Sequence, residues 1–373
     1  MRAFVFTDKA LERYAGQFVW LAVDTENSAN AQFLTKYPIS VWPTLMIIDP
    51  KKESVALRYA GGATVPQLEK LLNDGGRVVR GTKNKADETI ARADQLANQG
   101  KHAEAAKAYE EAIAAAPKNW SRLGRAAESL TFTLMQAHDL AHCADEALAL
   151  YPRVRGTYSA LNVSSNGLAC ASEMTDRKPE QFAALEKATR ETLDNPKIAL
   201  SGDDKSGLYE TLISAREVVK DEEGAHKLRE EWASFLEGEA KNAKTAEQRA
   251  VFDSHRLTAY LALKQPERAI PMLEESERDF PSDYNPPARL GAVYRNMKKY
   301  DEALAAYDRA LTKAYGPRKI GILRGKAETY AMKGDKEAAK RTIEEAIRFA
   351  ESLPVGQRSD AAIASLKKRL EAL

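Results

Sequence analysis

Few residues in this chain of 373 amino acids have the type and spacing needed for chemistry. His138 and His142 stand four residues apart, which on a helix places both imidazoles on one face, but the glutamate of the H-E-x-x-H zinc motif is missing. The two cysteines, Cys143 and Cys170, are too few for a zinc cluster or a disulfide framework and too far apart for a C-x-x-C redox pair. We therefore predict no metal site, no cofactor and no catalytic residue within the chain.

The state of the two cysteines follows from the helices expected around them. Cys143 falls on a helix that the pattern ends near Pro152, and Cys170 falls on the next helix. Their distances from the connecting turn then differ by several residues, so the two sulfurs should not lie level. The sequence thus favours two buried free thiols, with a disulfide as the alternative.

Charge and hydropathy exclude several classes of function. Lys and Arg number 56 against 54 Asp and Glu, and this formal charge of +2 argues against a nucleic-acid-binding surface or a polybasic membrane anchor. The densest apolar runs, 18–23 and 44–48, have the length of strands, whereas a membrane-spanning helix needs about 20 apolar residues. The first residues do not resemble a signal peptide, which leaves a cytoplasmic and a bacterial envelope location open.

The aromatic-rich first part of the chain predicts strands and helices in alternation. Residues 17–24 form a continuous apolar run that is typical of a strand buried on both faces, and a short helix is expected within 24–37. Residues 44–48 and 54–59 predict two strands joined by a tight turn, and 64–72 predict a second helix that Thr64 caps. The predicted order is strand, helix, strand, strand, helix.

This order resembles the second half of the thioredoxin fold over about residues 1–75, because the sequence Val41-Trp42-Pro43-Thr44 stands directly before a buried strand. The resemblance implies that the peptide bond before Pro43 is cis. It also implies that the backbone of Trp42 pairs with a substrate peptide. The first part of the chain is therefore expected to be a partial α/β domain.

The redox motif of that family is absent from the chain. In thioredoxin-like proteins a C-x-x-C sits at the start of the first helix, where the helix N-terminus lowers a thiol pKa. Residues 1–15 resemble the remainder of that helix, so one expectation is that Met1 is an internal methionine and that the motif lies upstream in a longer natural chain. The competing interpretation is a degenerate domain that never had the motif.

The rest of the chain shows a helical period. Residues 76–85 are expected to be a Gly-rich linker. Beyond them, small and aromatic residues recur, and Ala269 and Ala303 stand 34 positions apart, the period of tetratricopeptide repeats. The pattern strongly resembles that family and predicts an array over 86–356: clear units at about 86–118, 249–281, 285–317 and 319–352, about three divergent hairpins over 119–245, and a capping helix at 357–373.

The expected fold is thus a partial thioredoxin-like α/β domain followed by an all-α superhelical solenoid. Resemblance to tetratricopeptide repeats implies that a protein or peptide partner binds in the groove of the array. In the inferred register, Arg295, Arg324 and Glu328 lie near that groove. Two hypotheses follow: a binding scaffold with a redox-inactive N-terminal domain, or a thiol-disulfide oxidoreductase whose catalytic motif lies upstream of Met1.

Overall fold

The computed structural model describes residues 1, 3–39, 41–81 and 85–373, which fold into two units. Unit 1 consists of Met1–Ala15 and Ser40–Trp232, and unit 2 of Gly16–Ile39 and Ala233–Leu373. Each unit therefore combines a segment from the beginning of the chain with a series of helical hairpins. None of the helices in the described part combines the length and apolar content that a membrane crossing requires.

The regular elements are mostly helices that pair with the next helix along the chain. Two strands, β1 (Thr44–Asp49) and β2 (Ser54–Ala60), form an antiparallel hairpin. The α-helices are, in chain order, α1 (Ala31–Lys36), α2 (Val65–Arg80), α3 (Lys85–Asn98), α4 (His102–Ala114), α5 (Leu123–Gln136), α6 (Leu140–Val154), α7 (Ala160–Glu173), α8 (Pro179–Asp194), α9 (Gly202–Val218), α10 (Glu222–Asn242), α11 (Ala246–Ala250), α12 (Asp253–Ala262), α13 (Ala269–Asp279), α14 (Asn285–Asn296), α15 (Tyr300–Lys313), α16 (Arg318–Lys333), α17 (Lys336–Ser352) and α18 (Asp360–Glu371).

In unit 1, α3 pairs with α4, α5 with α6 and α7 with α8, and α9 packs against α7 and α8. Fully buried alanines at helical spacing, such as Ala93 on α3 and Ala112 on α4, let the paired helices approach closely. The predicted divergent region 119–245 contains α5 to α10. The residues of this region no longer match the repeat pattern, but they still form helices long enough to pair as hairpins.

In unit 2, α12 pairs with α13, α14 with α15 and α16 with α17, and α18 packs on α17. Leu323, Ile343 and Ile347 form one core with Ile363 and Leu366 of α18. Helix α18 therefore covers the apolar face that the last hairpin would otherwise expose. Below, the first helix of each pair and α18, which occupies the same place at the end of the series, are called first helices.

The thioredoxin-like domain receives no support from the structure. The predicted hairpin forms, and so does a short helix within 24–37, but residues 19–24 have no regular secondary structure. Val19 is 87% exposed and Leu21 is 74% exposed, so the strand expected at 17–24 is wrong. This segment belongs to unit 2, whereas β1 belongs to unit 1. An apolar run indicates that a strand is possible but does not supply the neighbouring strand that would pair with it.

The first five positions of the predicted linker at 76–85 belong to helix α2, which ends at Arg80. Asp74, Gly75 and Gly76 are buried. A Cβ atom on Gly75 would lie 2.3 Å from Cδ1 of Ile47 on β1. Gly75 therefore allows α2 to pack closely on the hairpin, so this glycine serves packing and does not mark a linker. Positions 82–84 of the predicted linker lie outside the described residues.

The two cysteines form a disulfide, so the prediction of free thiols is wrong. Helix α6 continues through Pro152 to Val154, two residues beyond the end that the sequence indicated. With the turn placed after Val154, the stretch from Cys143 to the turn is almost as long as the stretch from Ala160 to Cys170. The cysteines therefore lie level on α6 and α7, and both are fully buried.

Candidate functional site

Two glycines and one tyrosine determine how closely the first helices of unit 2 approach each other. Gly291 lies on α14 and Gly325 on α16, and both face the buried ring of Tyr307 on α15. A Cβ atom would lie 2.7 Å from Cε1 of that ring at Gly291 and 2.8 Å from its hydroxyl at Gly325. Helices α14 and α16 therefore approach the same ring from two directions, which places their neighbouring side chains in contact.

One carboxylate on this surface is surrounded by three arginines. Arg295 on α14 donates a hydrogen bond to Oε2 of Glu328 on α16, and Arg369 on α18 donates one to Oε1 at 2.7 Å. Nε of Arg324, one turn before Glu328, lies 3.9 Å from Oε1. Arg324 and Arg369 are about half exposed. Three guanidinium groups facing one carboxylate leave a surplus of positive charge at an accessible surface.

The structure thus brings Arg295, Arg324 and Glu328 together, as their predicted register suggests. Arg369 was not among the predicted residues, because the final segment reads as a charged cap helix. The available signal was the position of this helix after the last pair, since an additional first helix places some of its side chains on the same surface. We call Arg295, Arg324, Glu328 and Arg369 the arginine cluster.

In unit 1, the chain's own β-hairpin covers the corresponding surface. Tyr59 on β2 donates to Oε2 of Glu128 on α5 at 3.2 Å, and Asn162 on α7 donates to the same oxygen at 3.0 Å. Burial raises the pKa of Glu128 above that of a solvated carboxyl group, because the charged form is desolvated. Arg58, next to Tyr59, donates to Asn98 of α3 at 3.0 Å. Three consecutive first helices are therefore contacted by one strand.

A second set of buried charges joins α2 to the hairpins of unit 1. Arg122 is almost fully buried, and its side chain lies 3.3 Å from the carboxylate of Asp74 on α2 and 3.3 Å from that of Asp87 on α3. Trp120 donates to Asp87 at 2.9 Å. Desolvation lowers the pKa of Arg122, and the two aspartates oppose this shift. These contacts have no signal in the sequence, because their partners are distant along the chain.

The Trp42–Pro43 peptide bond is cis, as the resemblance of residues 41–44 to the thioredoxin fold implied. The carbonyl oxygen of Pro43 accepts a hydrogen bond from the backbone N–H of Gly61 at 2.8 Å, which extends the hairpin by one pair. Trp42 is 57% exposed. Its expected pairing with a substrate peptide stays a prediction.

The two histidines do not share a helical face. His138 lies in the turn between α5 and α6 with a φ of 57°, and His142 lies on α6. Nε2 of His142 is 3.0 Å from the carboxylate of Glu110, and Nδ1 is 3.5 Å from that of Asp139. Within the residues that the structure describes, no group of three or more His, Cys, Asp or Glu side chains is arranged to hold a metal ion.

Family models match two parts of the helical array. Models described as tetratricopeptide repeat match residues 90–119 and 284–352. The chain carries tetratricopeptide repeats. The matched ranges contain α4 with much of α3, and the two pairs α14–α15 and α16–α17. The arginine cluster therefore lies mainly on recognised repeats, with Arg369 on the helix that follows them.

Solved repeat proteins resemble the chain at low identity. A tetratricopeptide repeat protein from Parabacteroides merdae ATCC 43184 is 12% identical, with a TM-score of 0.47 over 77% of this chain and 98% of that chain. The protein YrrB, described as having an unusual peptide-binding site, is 15% identical, with a TM-score of 0.28 over 70% and 99%. The TPR2AB domain of yeast Sti1 in its pHSP90 complex is 15% identical, with a TM-score of 0.29 over 77% and 98%. No curated protein sequence matches the chain.

Proposed function

We propose that this protein is a scaffold that binds a protein or peptide partner bearing carboxylate groups, and that the arginine cluster of unit 2 is the contact surface. The observation that carries the proposal is the meeting of three arginines around Glu328. Each guanidinium has five N–H donors, and Glu328 takes one from Arg295 and one from Arg369. Further donors are therefore available to a ligand carboxylate, which arginine binds with favourable planar geometry.

The surface of unit 1 supports the choice of unit 2 as the contact site. The β-hairpin covers the first helices α3, α5 and α7 through Arg58 and Tyr59, and the polar side chains there are used within the chain. In unit 2, Arg324 and Arg369 are about half exposed. The arginines around Glu328 therefore offer a peptide hydrogen-bond donors on the first helices of unit 2.

The test is a selection of peptides against the purified full chain. A random peptide library displayed on phage is expected to yield sequences enriched in Asp and Glu, and synthetic copies should bind less tightly as salt increases. The R324A/R369A variant should bind them roughly tenfold more weakly or worse, since charge-assisted hydrogen bonds contribute about 1.5–3 kcal/mol each. The variant R341A/R348A removes two exposed arginines from α17 and serves as the control.

Two results would contradict the proposal. One is the selection of peptides without acidic residues. The other is equal binding of acidic peptides to R324A/R369A and to the wild-type chain, with circular dichroism showing that both are folded. This test does not address the predicted pairing of the Trp42 backbone with a substrate peptide beside Pro43, because those residues belong to unit 1.

A further inference from the structure

Unit 2 contains a short segment from the beginning of the chain, residues 24–37, which we call the latch. It consists of a turn capped by Asn27, a 3₁₀ helix Ser28–Asn30 and helix α1. Ala31, Leu34 and Tyr37 are buried. The latch contacts residues between 258 and 332 positions away along the chain. Its place in unit 2 is therefore determined by specific contacts and not by its neighbours in sequence.

Glu26 is the most strongly held side chain of the latch. Tyr284 donates to its two carboxylate oxygens at 2.9 and 3.0 Å, and Nε of Arg318 donates to Oε1 at 2.9 Å. Tyr284 immediately precedes α14, and Arg318 is the first residue of α16. The carboxylate thus lies near two helix N-termini, whose partial positive charge favours an anion. Burial and the hydrogen bond to Glu26 raise the pKa of Tyr284.

The rest of unit 2 also contacts Asp24 through its side chain and Thr25 through its backbone. Tyr315 donates to the carboxylate of Asp24 at 2.8 Å, and Gln357 donates to the carbonyl oxygen of Thr25 at 2.9 Å. Tyr315 and Gln357 lie in the loops before α16 and α18. The rest of unit 2 therefore binds two acidic side chains that lie two positions apart and the backbone carbonyl group between them.

Two glycines leave room for the backbone of the latch to lie against the rest of unit 2. A Cβ atom on Gly316 would lie 2.1 Å from the carbonyl oxygen of Glu26, and one on Gly356 would lie 2.3 Å from that of Ala31. Both glycines have positive φ, 57° and 96°. Any side chain at either position would push the latch away. The surface that receives the latch, which we call the seat, consists of Tyr284, Tyr315, Gly316, Arg318, Gly356 and Gln357.

The polar contacts between latch and seat are individually weak. The side chain of Arg318 is more than half exposed, Tyr315 is half exposed, and exposed ion pairs contribute about 0–1 kcal/mol. Residues 19–23, directly before the latch, have no regular secondary structure. The buried side chains of the latch are limited to Ala31, Leu34 and Tyr37, and a short segment with so little burial opens by local unfolding at lower free energy than packed helices do. The latch can therefore leave its seat while the hairpins stay folded.

We propose that the latch is a ligand bound within its own chain, and that the seat is a second peptide-docking surface. Its preferred ligand has two acidic residues separated by one residue, followed by a short helix whose first backbone carbonyl group packs against Gly356. This surface shares no residue with the arginine cluster. Its test is therefore independent of the proposed function.

The first experiment measures the binding of a fluorescein-labelled peptide with the sequence of residues 22–38 to the full chain. In the wild-type chain the tethered latch occupies the seat at a high effective concentration and excludes the peptide. The variant D24N/E26Q weakens the latch and should bind the peptide at least tenfold more tightly than wild type. The variant E104Q/E337Q, with the same change of charge elsewhere, should behave as wild type.

Specificity is tested with the same peptide on D24N/E26Q carrying the added substitutions Y284F and R318A, where binding should be lost. Absence of peptide binding to D24N/E26Q, or equal binding to all variants, would overturn the proposal. Hydrogen exchange of the wild-type chain provides a second measurement. Residues 24–37 should exchange at least tenfold faster than α14 and α16, whereas opening of all three together would show that the latch is an integral part of the fold.

Discussion

At the level of single residues, the contact between Tyr307 and its two glycines shows why the small residues of the repeats matter. The ring is buried between Gly291 on one side and Gly325 on the other. A methyl group on either side would push the ring toward the opposite helix. The ring of Tyr307 cannot shift to make room for a methyl group, because a glycine of another helix contacts it on each side. The arginine cluster depends on the distance between α14 and α16 that this contact maintains.

We predict that G325A lowers the free energy of unfolding by about 1–3 kcal/mol, because an added methyl group overfills a packed site. The control is G321A, four residues earlier on the same helix, where a Cβ atom meets nothing within 4 Å. There, replacing glycine should raise stability by about 0.5–1 kcal/mol through helix propensity. Urea denaturation of the two variants compares them directly. Equal effects of the two substitutions would show that Tyr307 does not restrict Gly325.

Glu128 is expected to make stability depend on pH. Burial raises its folded-state pKa above the unfolded value of about 4.3. Such a group contributes its full stabilisation below the unfolded pKa, and this contribution is lost as pH rises through the folded pKa. The neutral variant E128Q should therefore gain stability relative to wild type between pH 4.5 and pH 7.5. Thermal unfolding at both pH values measures this, and a difference in Tm that does not change with pH would contradict it.

At the level of elements, α6 and α7, which belong to two successive helix pairs, are joined covalently as well as by packing. The disulfide lies fully buried between two helices whose interface also contains Ala147 and Gly167. A Cβ atom on Gly167 would lie 2.4 Å from that of Ala147, so these helices are as close as the paired small residues allow. The cross-link therefore restrains a pair that belongs to the region of weakest repeat signature.

Removal of this cross-link should destabilise the chain. The double variant C143A/C170A is expected to lose about 2–5 kcal/mol of unfolding free energy relative to the oxidised wild type. Unfolding in a strong reductant should bring the wild type toward the variant and leave the variant unchanged. The mass of the intact wild-type chain under non-reducing conditions verifies the bond. Two free thiols in the purified, air-oxidised protein would show that the sequence-based prediction was correct after all.

At the level of the whole molecule, both units use a segment from the first 80 residues as part of a helical array. In unit 1 the β-hairpin and α2 lie on first helices, and in unit 2 the latch contacts the starts of α14 and α16. The chain thus interleaves the two units in sequence instead of placing one domain after the other. This arrangement explains why a domain boundary near residue 80, drawn from composition, does not coincide with either unit.

The arrangement also separates the two surfaces that we expect to bind peptides. The arginine cluster lies on α14, α16 and α18, whereas the seat lies at the starts of α14 and α16 and in the loop before α18. We expect both surfaces to attract carboxylates, because both present cationic or hydrogen-bond-donating side chains. A partner with two acidic segments would be able to engage them together, while the latch competes for the seat alone.

The sequence by itself determined the repeats and the β-hairpin, and the register of the repeats predicted that Arg295, Arg324 and Glu328 lie near one another. These features depend on local spacing or on a period of 34 residues, and such patterns reflect contacts between neighbouring elements. Tertiary structure alone decided the pairing of Cys143 with Cys170, because it depends on where α6 ends. Tertiary structure also decided that residues 19–24 form no strand and that the latch binds unit 2. The contacts of the latch are made with partners more than 250 residues away, for which the local sequence carries no periodic signal.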